Sequence, residues 1–257
     1  MPFDPAIAVI IGGAAVGFLL AVFGGGGSVL AAPVLLYLGG VRDAHIAIGT
    51  ASAAVAATAV FNLVGHWRGG RIKWPCATVF ALAGLIGSFA GSSIAKMISG
   101  QHLLIAFAIA MAAIGLSMFR KPSSEGDPDV RINTALVLRL APLGLLTGLA
   151  AGFFGIGGGF LIVPGLMLAT GMTIANATAS SLLSVALFGA ATSANYAISG
   201  LVDWRLAGLL ILGGAIGGLA GLQVARRLVK NARLARSLFA LLILIVAAYV
   251  AWRALAG

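Results

Sequence analysis

The sequence predicts an all-α polytopic membrane protein made of two inverted-topology repeats. Each repeat is expected to be a glycine-broken re-entrant helical hairpin followed by three transmembrane helices. Three observations lead there. Hydrophobic residues make up 61% of the 257 residues and charged residues only 9%, with mean hydropathy +1.11; ordinary soluble domains carry about 25% charged residues. An unusual run occurs twice, Phe23-Gly24-Gly25-Gly26-Gly27-Ser28 and Phe154-Gly155-Ile156-Gly157-Gly158-Gly159, each inside an apolar stretch and each followed by a proline, Pro33 or Pro164. The basic residues gather in loops between apolar stretches, where they carry topological information.

Long apolar stretches run over 6–23, 44–64, 75–95, 103–119, 140–154, 174–198, 206–225 and 238–256. Shorter ones at 28–38 and 160–170 follow the glycine runs. Eleven residues of helix reach about 17 Å, roughly half of a ~30 Å hydrocarbon core, so these two read as half-helices. A helix broken in lipid frees N–H and C=O groups, which is tolerated only where protein or a water-filled cavity meets them. Two such breaks at matching places point to a transporter whose solute site lies near the midplane.

The duplication extends well beyond the glycines. Residues from 23 match those from 154 at an offset of 131, and after a one-residue slip an offset of 130 pairs Thr50 with Ser180, Gly70 with Gly200, Trp74 with Trp204, and Gly84, Gly87 and Gly91 with Gly214, Gly217 and Gly221. The chain divides into a first repeat at 1–120, a cytoplasmic linker at 121–138 and a second repeat at 139–257, all within one membrane domain. Residues 121–133 hold three of the six acids and no apolar run.

Orientation follows from the cations. If each broken pair enters and leaves on one side, Arg68, Arg71 and Lys73, the linker cluster, and Arg226, Arg227, Lys230, Arg233 and Arg236 all face the cytoplasm, twelve basic residues against four outside. If each pair crosses as one span, the last cluster lands outside, against the positive-inside tendency. The hairpin arrangement therefore wins. It gives the halves opposite orientations and places both termini outside. The N-terminus lacks the basic region of a cleavable signal peptide.

Several function classes recede. The net charge of +10 reflects topology and not a nucleic-acid surface, since aromatic residues do not interleave with the cations. A single cysteine, Cys76, leaves no intrachain disulfide or multi-cysteine metal site. No metal or other cofactor is expected. An enzyme would need a nucleophile–base or metal constellation, and neither HExxH nor GxSG is present, nor a mid-span acid pair.

With its duplicated glycine break, the proline after it, Gly49-Thr50, and the GGRIKW and SGLVDW turns, the chain resembles the TauE/SafE family of bacterial sulfite and organosulfonate exporters over about Phe18 to Trp252. The resemblance implies export of a small sulfur-containing anion such as sulfite or sulfoacetate, with uptake of a sulfur compound in some relatives. Relatives thought to move thiosulfate through membrane cysteines differ from a chain with Cys76 alone.

The candidate substrate-binding residues are Gly25, Gly26, Gly27, Ser28, Thr50, Asn62, His66, Gly157, Gly158, Gly159, Ser180, Ser181 and Asn195. Half-helix starts at Ser28 and Phe160 present unpaired N–H groups and partial positive charge to an anion, and glycine lets a solute approach the backbone. The inverted symmetry brings both starts toward the membrane centre. Thr50 and Ser180 correspond between repeats. Asn62 and Asn195 carry amides whose four hydrogen-bonding positions need partners. His66, matched by Tyr196, is a candidate gate. All six acids lie in loops, near termini or at span ends, so coupling through a buried carboxylate is not expected; an inside-negative potential drives anions outward by roughly 2.3 kcal/mol per charge per 100 mV. The expected partners are a small anion and the bilayer, with no nucleic acid, and a homodimer as an open alternative. A channel, an uptake carrier and a non-transporting scaffold are the rival readings.

Overall fold

Each half of the chain reverses direction at a glycine that follows a phenylalanine. The computed structural model describes residues 5–117, 126–155, 159–228 and 232–256. In the first half, α1 (Pro5–Phe23) runs into a 3-10 segment (Gly24–Leu30) and then α2 (Ala31–Tyr37). Gly24 adopts φ +62°, a left-handed conformation open to glycine without penalty. Beyond it the chain returns along α1: Gly27 lies against Leu20, Val34 against Gly12 and Gly39 against Val9. Residue numbers that rise on one arm as they fall on the other define an antiparallel hairpin, so the apolar stretch Pro5–Tyr37 is folded back and is not one long span. The expected half-helix at 28–38 starts earlier, at Gly24, as a 3-10 helix. Four consecutive glycines offer no side chains to crowd that tighter winding.

The first half continues through α3 (Ala44–Trp67), α4 (Trp74–Ala95) and α5 (Gly100–Ser117). The second comprises α6 (Thr134–Phe154), α7 (Gly159–Thr170), α8 (Ile174–Ile198), α9 (Trp204–Leu228) and α10 (Ala232–Ala256). Local chemistry sets several starts. Asp43 caps α3 by accepting from His45 N at 2.7 Å, and Asn133 caps α6 by accepting from Leu136 N at 2.8 Å; such caps meet amides the first turn leaves bare. The Asn133 cap starts α6 inside the stretch expected to be linker. Turns recur in pairs: left-handed glycines stand at Gly24 and Gly155, Gly40 and Gly171, and Gly70 and Gly200.

The halves interlock. α1 packs on α9, α4 packs on α6, and α3 packs on α8 at the centre. A Cβ on Gly148 would overlap the Gly84 carbonyl, and one on Gly17 would overlap the Gly214 carbonyl. These two crossings occupy equivalent places in the two halves. Small residues bring helix backbones together where lipid supplies no hydrophobic drive. Facing outward are large apolar side chains such as Ile86, Leu82, Leu212 and Ile216. Among the described residues, seven helical stretches are long and apolar enough to cross a membrane.

Candidate functional site

The break in α1 leaves amides and carbonyls that α1 itself cannot pair. Ser28 and His66 of the first half and Ser181 of the second supply partners for them, and Asn62 bonds to α1 further back. The Gly25 amide donates to Ser181 Oγ on α8 at 3.0 Å, and Ser181 Oγ donates on to Thr178 O at 2.8 Å. Ser28 Oγ donates to Gly25 O at 2.8 Å. His66 Nε2 lies 2.9 Å from Ala21 O. A carbonyl only accepts, so this nitrogen carries the proton. Asn62 Nδ2 donates to Gly17 O at 3.2 Å. Gly24 to Val29 are all buried, and a Cβ on Gly27 would overlap the α1 backbone at Leu19 and Leu20. The first tip is thus closed, and close packing accounts for Gly27.

At the second tip the roles are reversed, with a serine hydroxyl of the other half facing a main-chain carbonyl while the Gly155 amide bonds back to Ala151 O and Gly152 O. Gly155 adopts φ +63° and sits against Ile48 of α3. Ser52 Oγ lies near both Ile48 O and Gly155 O. The hydroxyl has one proton, and both carbonyls stand within its reach. Gly157 and Gly158 lie outside the described residues, and Gly159 opens α7.

Thr50 and Ser180 hold loops and not tips. Thr50 Oγ1 accepts from Asp203 N at 2.9 Å, and Ser180 Oγ accepts from Lys73 N at 3.0 Å. Each ties down the start of a long helix (α9 or α4) that belongs to the other half. Asn195 stands apart. Its Nδ2 donates to Ser92 Oγ at 2.7 Å and Ser93 Oγ at 2.9 Å, while Lys96 Nζ donates to its Oδ1 at 2.8 Å and its main-chain O at 3.1 Å. The Lys96 ammonium thereby meets carbonyls at the negative end of α8.

The two tips pass one another. α3 and α8 run antiparallel, with Gly49 against Tyr196 and Gly189 against Ser52 and Ala56. Gly155 rests on Ile48 and Ser52 near the start of α3, whereas Gly24 rests on Thr178 and Ser181 near the start of α8. At 1.5 Å per residue those contacts lie about 20–25 Å apart along the pair. The two hairpins overlap side by side, with the 3-10 segment packed on α7. The α3–α8 pair also holds buried polar atoms with no hydrogen-bond partner among the described residues: Asn62 Oδ1, Ser184 Oγ and Tyr196 OH. Gly24, Gly155 and Ser52 are not among the candidate substrate-binding residues, although the Phe-Gly pair shared by both runs marks the first two.

A family model described as sulfite exporter TauE/SafE matches residues 9–250. A probable membrane transporter protein of Xylella fastidiosa strain 9a5c is 46% identical over 261 residues, covering 100% of this chain and 99% of its own. The probable membrane transporter protein YunE of Bacillus subtilis is 24% identical, with 86% and 89% of the two chains covered. A Haemophilus influenzae relative of the same description is 26% identical over 73% and 72%. No solved structure matches. The chain has a break in each half, helices able to cross a bilayer several times, a family model matched over most of its length and a relative matched almost end to end; it belongs to the TauE/SafE family and is a multi-pass membrane transporter.

Proposed function

We propose that this transporter exports a small sulfur-containing anion, sulfite or an organosulfonate such as sulfoacetate, across the bacterial inner membrane. The halves, 1–120 and 139–257 about a cytoplasmic linker, act as inverted repeats with both termini outside. The observation that carries the reading is the pair of Phe-Gly tips, each held by a serine hydroxyl from the opposite half. A main-chain amide that donates to a hydroxyl oxygen can donate to a sulfonate oxygen instead, since both are hydrogen-bond acceptors and the bond to the anion is the stronger. Binding then exchanges Ser181 for solute at Gly25 and loosens the first tip. Buried atoms such as Ser184 Oγ and Tyr196 OH give a polar solute further contacts along the α3–α8 pair. Gly26, Gly157, Gly158 and Gly159 belong to the same broken arms and are proposed to line the path. The family description, which names sulfite, supports the choice of anion.

Proteoliposomes loaded with labelled sulfite or sulfoacetate test this. Saturable efflux that quickens when the side receiving solute is made positive is the expected result. Efflux of neither anion by correctly inserted protein overturns the substrate assignment, and flux that never saturates makes the protein a channel.

A further inference from the structure

Between the C-terminal parts of α3 and α9, on the face away from α8, runs a groove of about 500 Å³ lined by Phe61, Val64, Gly65, Leu219, Leu222 and, at one end, Arg68 with Gln223. The two helices run parallel here, with Thr58 against Gly214, Asn62 against Gly218 and Gly65 against Leu222. Residue numbers therefore rise along the groove on both walls, and its lining changes from apolar to polar in that direction. Phe61, Val64 and Leu219 are exposed. From Phe61 to Arg68 the groove extends about 10 Å. Its apolar end suits hydrocarbon and its polar end suits an anion.

Two further observations fix the depth and the charge. Trp67, 61% exposed, meets Trp74 edge to face at 6.0 Å beside Arg68, and exposed tryptophans at helix ends mark the headgroup level. Arg227 is exposed and stands one turn beyond Gln223 on the same face of α9. The acids of these two helices, Asp43 and Asp203, cap the opposite ends, so no carboxylate of either helix neutralises the two guanidiniums.

We infer that this groove is a binding site for one anionic phospholipid, its phosphate held by Arg68 and Arg227 and an acyl chain lying over Gly65 between Phe61 and Leu219. Basic pockets between membrane helices recognise acidic headgroups in this way. The site is separate from the tips and independent of what is transported.

The test is thermal unfolding of the detergent-purified full chain, titrated with phosphatidylglycerol or phosphatidylcholine, with native mass spectrometry of retained lipid. Phosphatidylglycerol should stabilise more than phosphatidylcholine, and Arg68→Gln should weaken its retention about fivefold. Val64→Trp, which fills the apolar end, should reduce retention while Arg68 remains. Soluble glycerol phosphate should not reproduce the stabilisation. Equal effects of the two lipids, an unchanged preference in Arg68→Gln, or full stabilisation by glycerol phosphate would each overturn the assignment.

Discussion

Replacing Ser181 by alanine isolates the contact that closes the first tip. The substitution removes the oxygen that accepts from the Gly25 amide at 3.0 Å. It leaves Thr178 O with its ordinary helical partner, so the amide alone is stranded. Gly25 is buried, and an unsatisfied buried amide costs about 1–3 kcal/mol. That figure corresponds to a shift of about 5- to 150-fold in the balance between closed and open tip. Two readouts separate the consequences. Thermal unfolding in detergent should fall by a few degrees, as expected for a loss of this size in a chain of this length. Equilibrium binding of sulfite to the same preparation should tighten, because the hydroxyl that competes with the anion for the amide is gone. Ser181→Thr, which keeps the oxygen, should restore both values toward those of the wild type. Unchanged unfolding together with unchanged affinity would refute the view that this hydroxyl holds the tip. Lowered stability without tighter binding would leave Ser181 as a structural brace and separate the tip from the solute.

The loop ties should behave as two independent braces. Thr50→Val and Ser180→Ala each strip an acceptor from a main-chain amide, Asp203 N or Lys73 N, and each should cost about 1 kcal/mol. The ties lie far apart on the antiparallel α3–α8 pair, so the double variant should lose the sum within a few tenths of a kcal/mol, read from paired unfolding curves. The orientation is open to single-cysteine labelling, since the buried Cys76 is a silent background. Cysteine at Arg42 should react with an impermeant maleimide added outside cells, and cysteine at Gly69 only after the membrane is opened; the reverse pattern would invert the topology.

Much of the fold could be read from side-chain chemistry that needs no neighbour. Glycine at 24 and 155 can adopt a conformation that other residues avoid, and the repeat of the Phe-Gly pair announced both reversals. The helical spacing of Gly84, Gly87 and Gly91, and of Gly214, Gly217 and Gly221, marks them as packing surfaces, but the Gly148 and Gly17 that meet them on other helices carried no such signal. The ties of Thr50 and Ser180 were visible only as a correspondence between halves. Their partners, the Asp203 and Lys73 amides, lie more than a hundred residues away and carry no sequence signal, because every residue but proline has an amide. His66 shows the same limit. A histidine near a helix end suggests a gate, but the broken end of α1 leaves a carbonyl at Ala21 that asks for a donor, and the ring supplies it. The overlap of the two hairpins depends on the register between α3 and α8, which is set by how Gly49 and Gly189 admit their neighbours. No spacing within either helix encodes it.

The exchange of partners between the halves has a consequence for synthesis. α1 finds a glycine-lined counterpart in α9, which leaves the ribosome roughly 200 residues later, or about 10–40 s at ordinary elongation rates. Throughout that interval the nascent first hairpin has its close-packing face uncovered in the bilayer or at the insertion machinery. Its Gly25 amide waits as well, since Ser181 has not yet been made. A ribosome stalled before α9 should therefore hold an inserted but protease-sensitive intermediate.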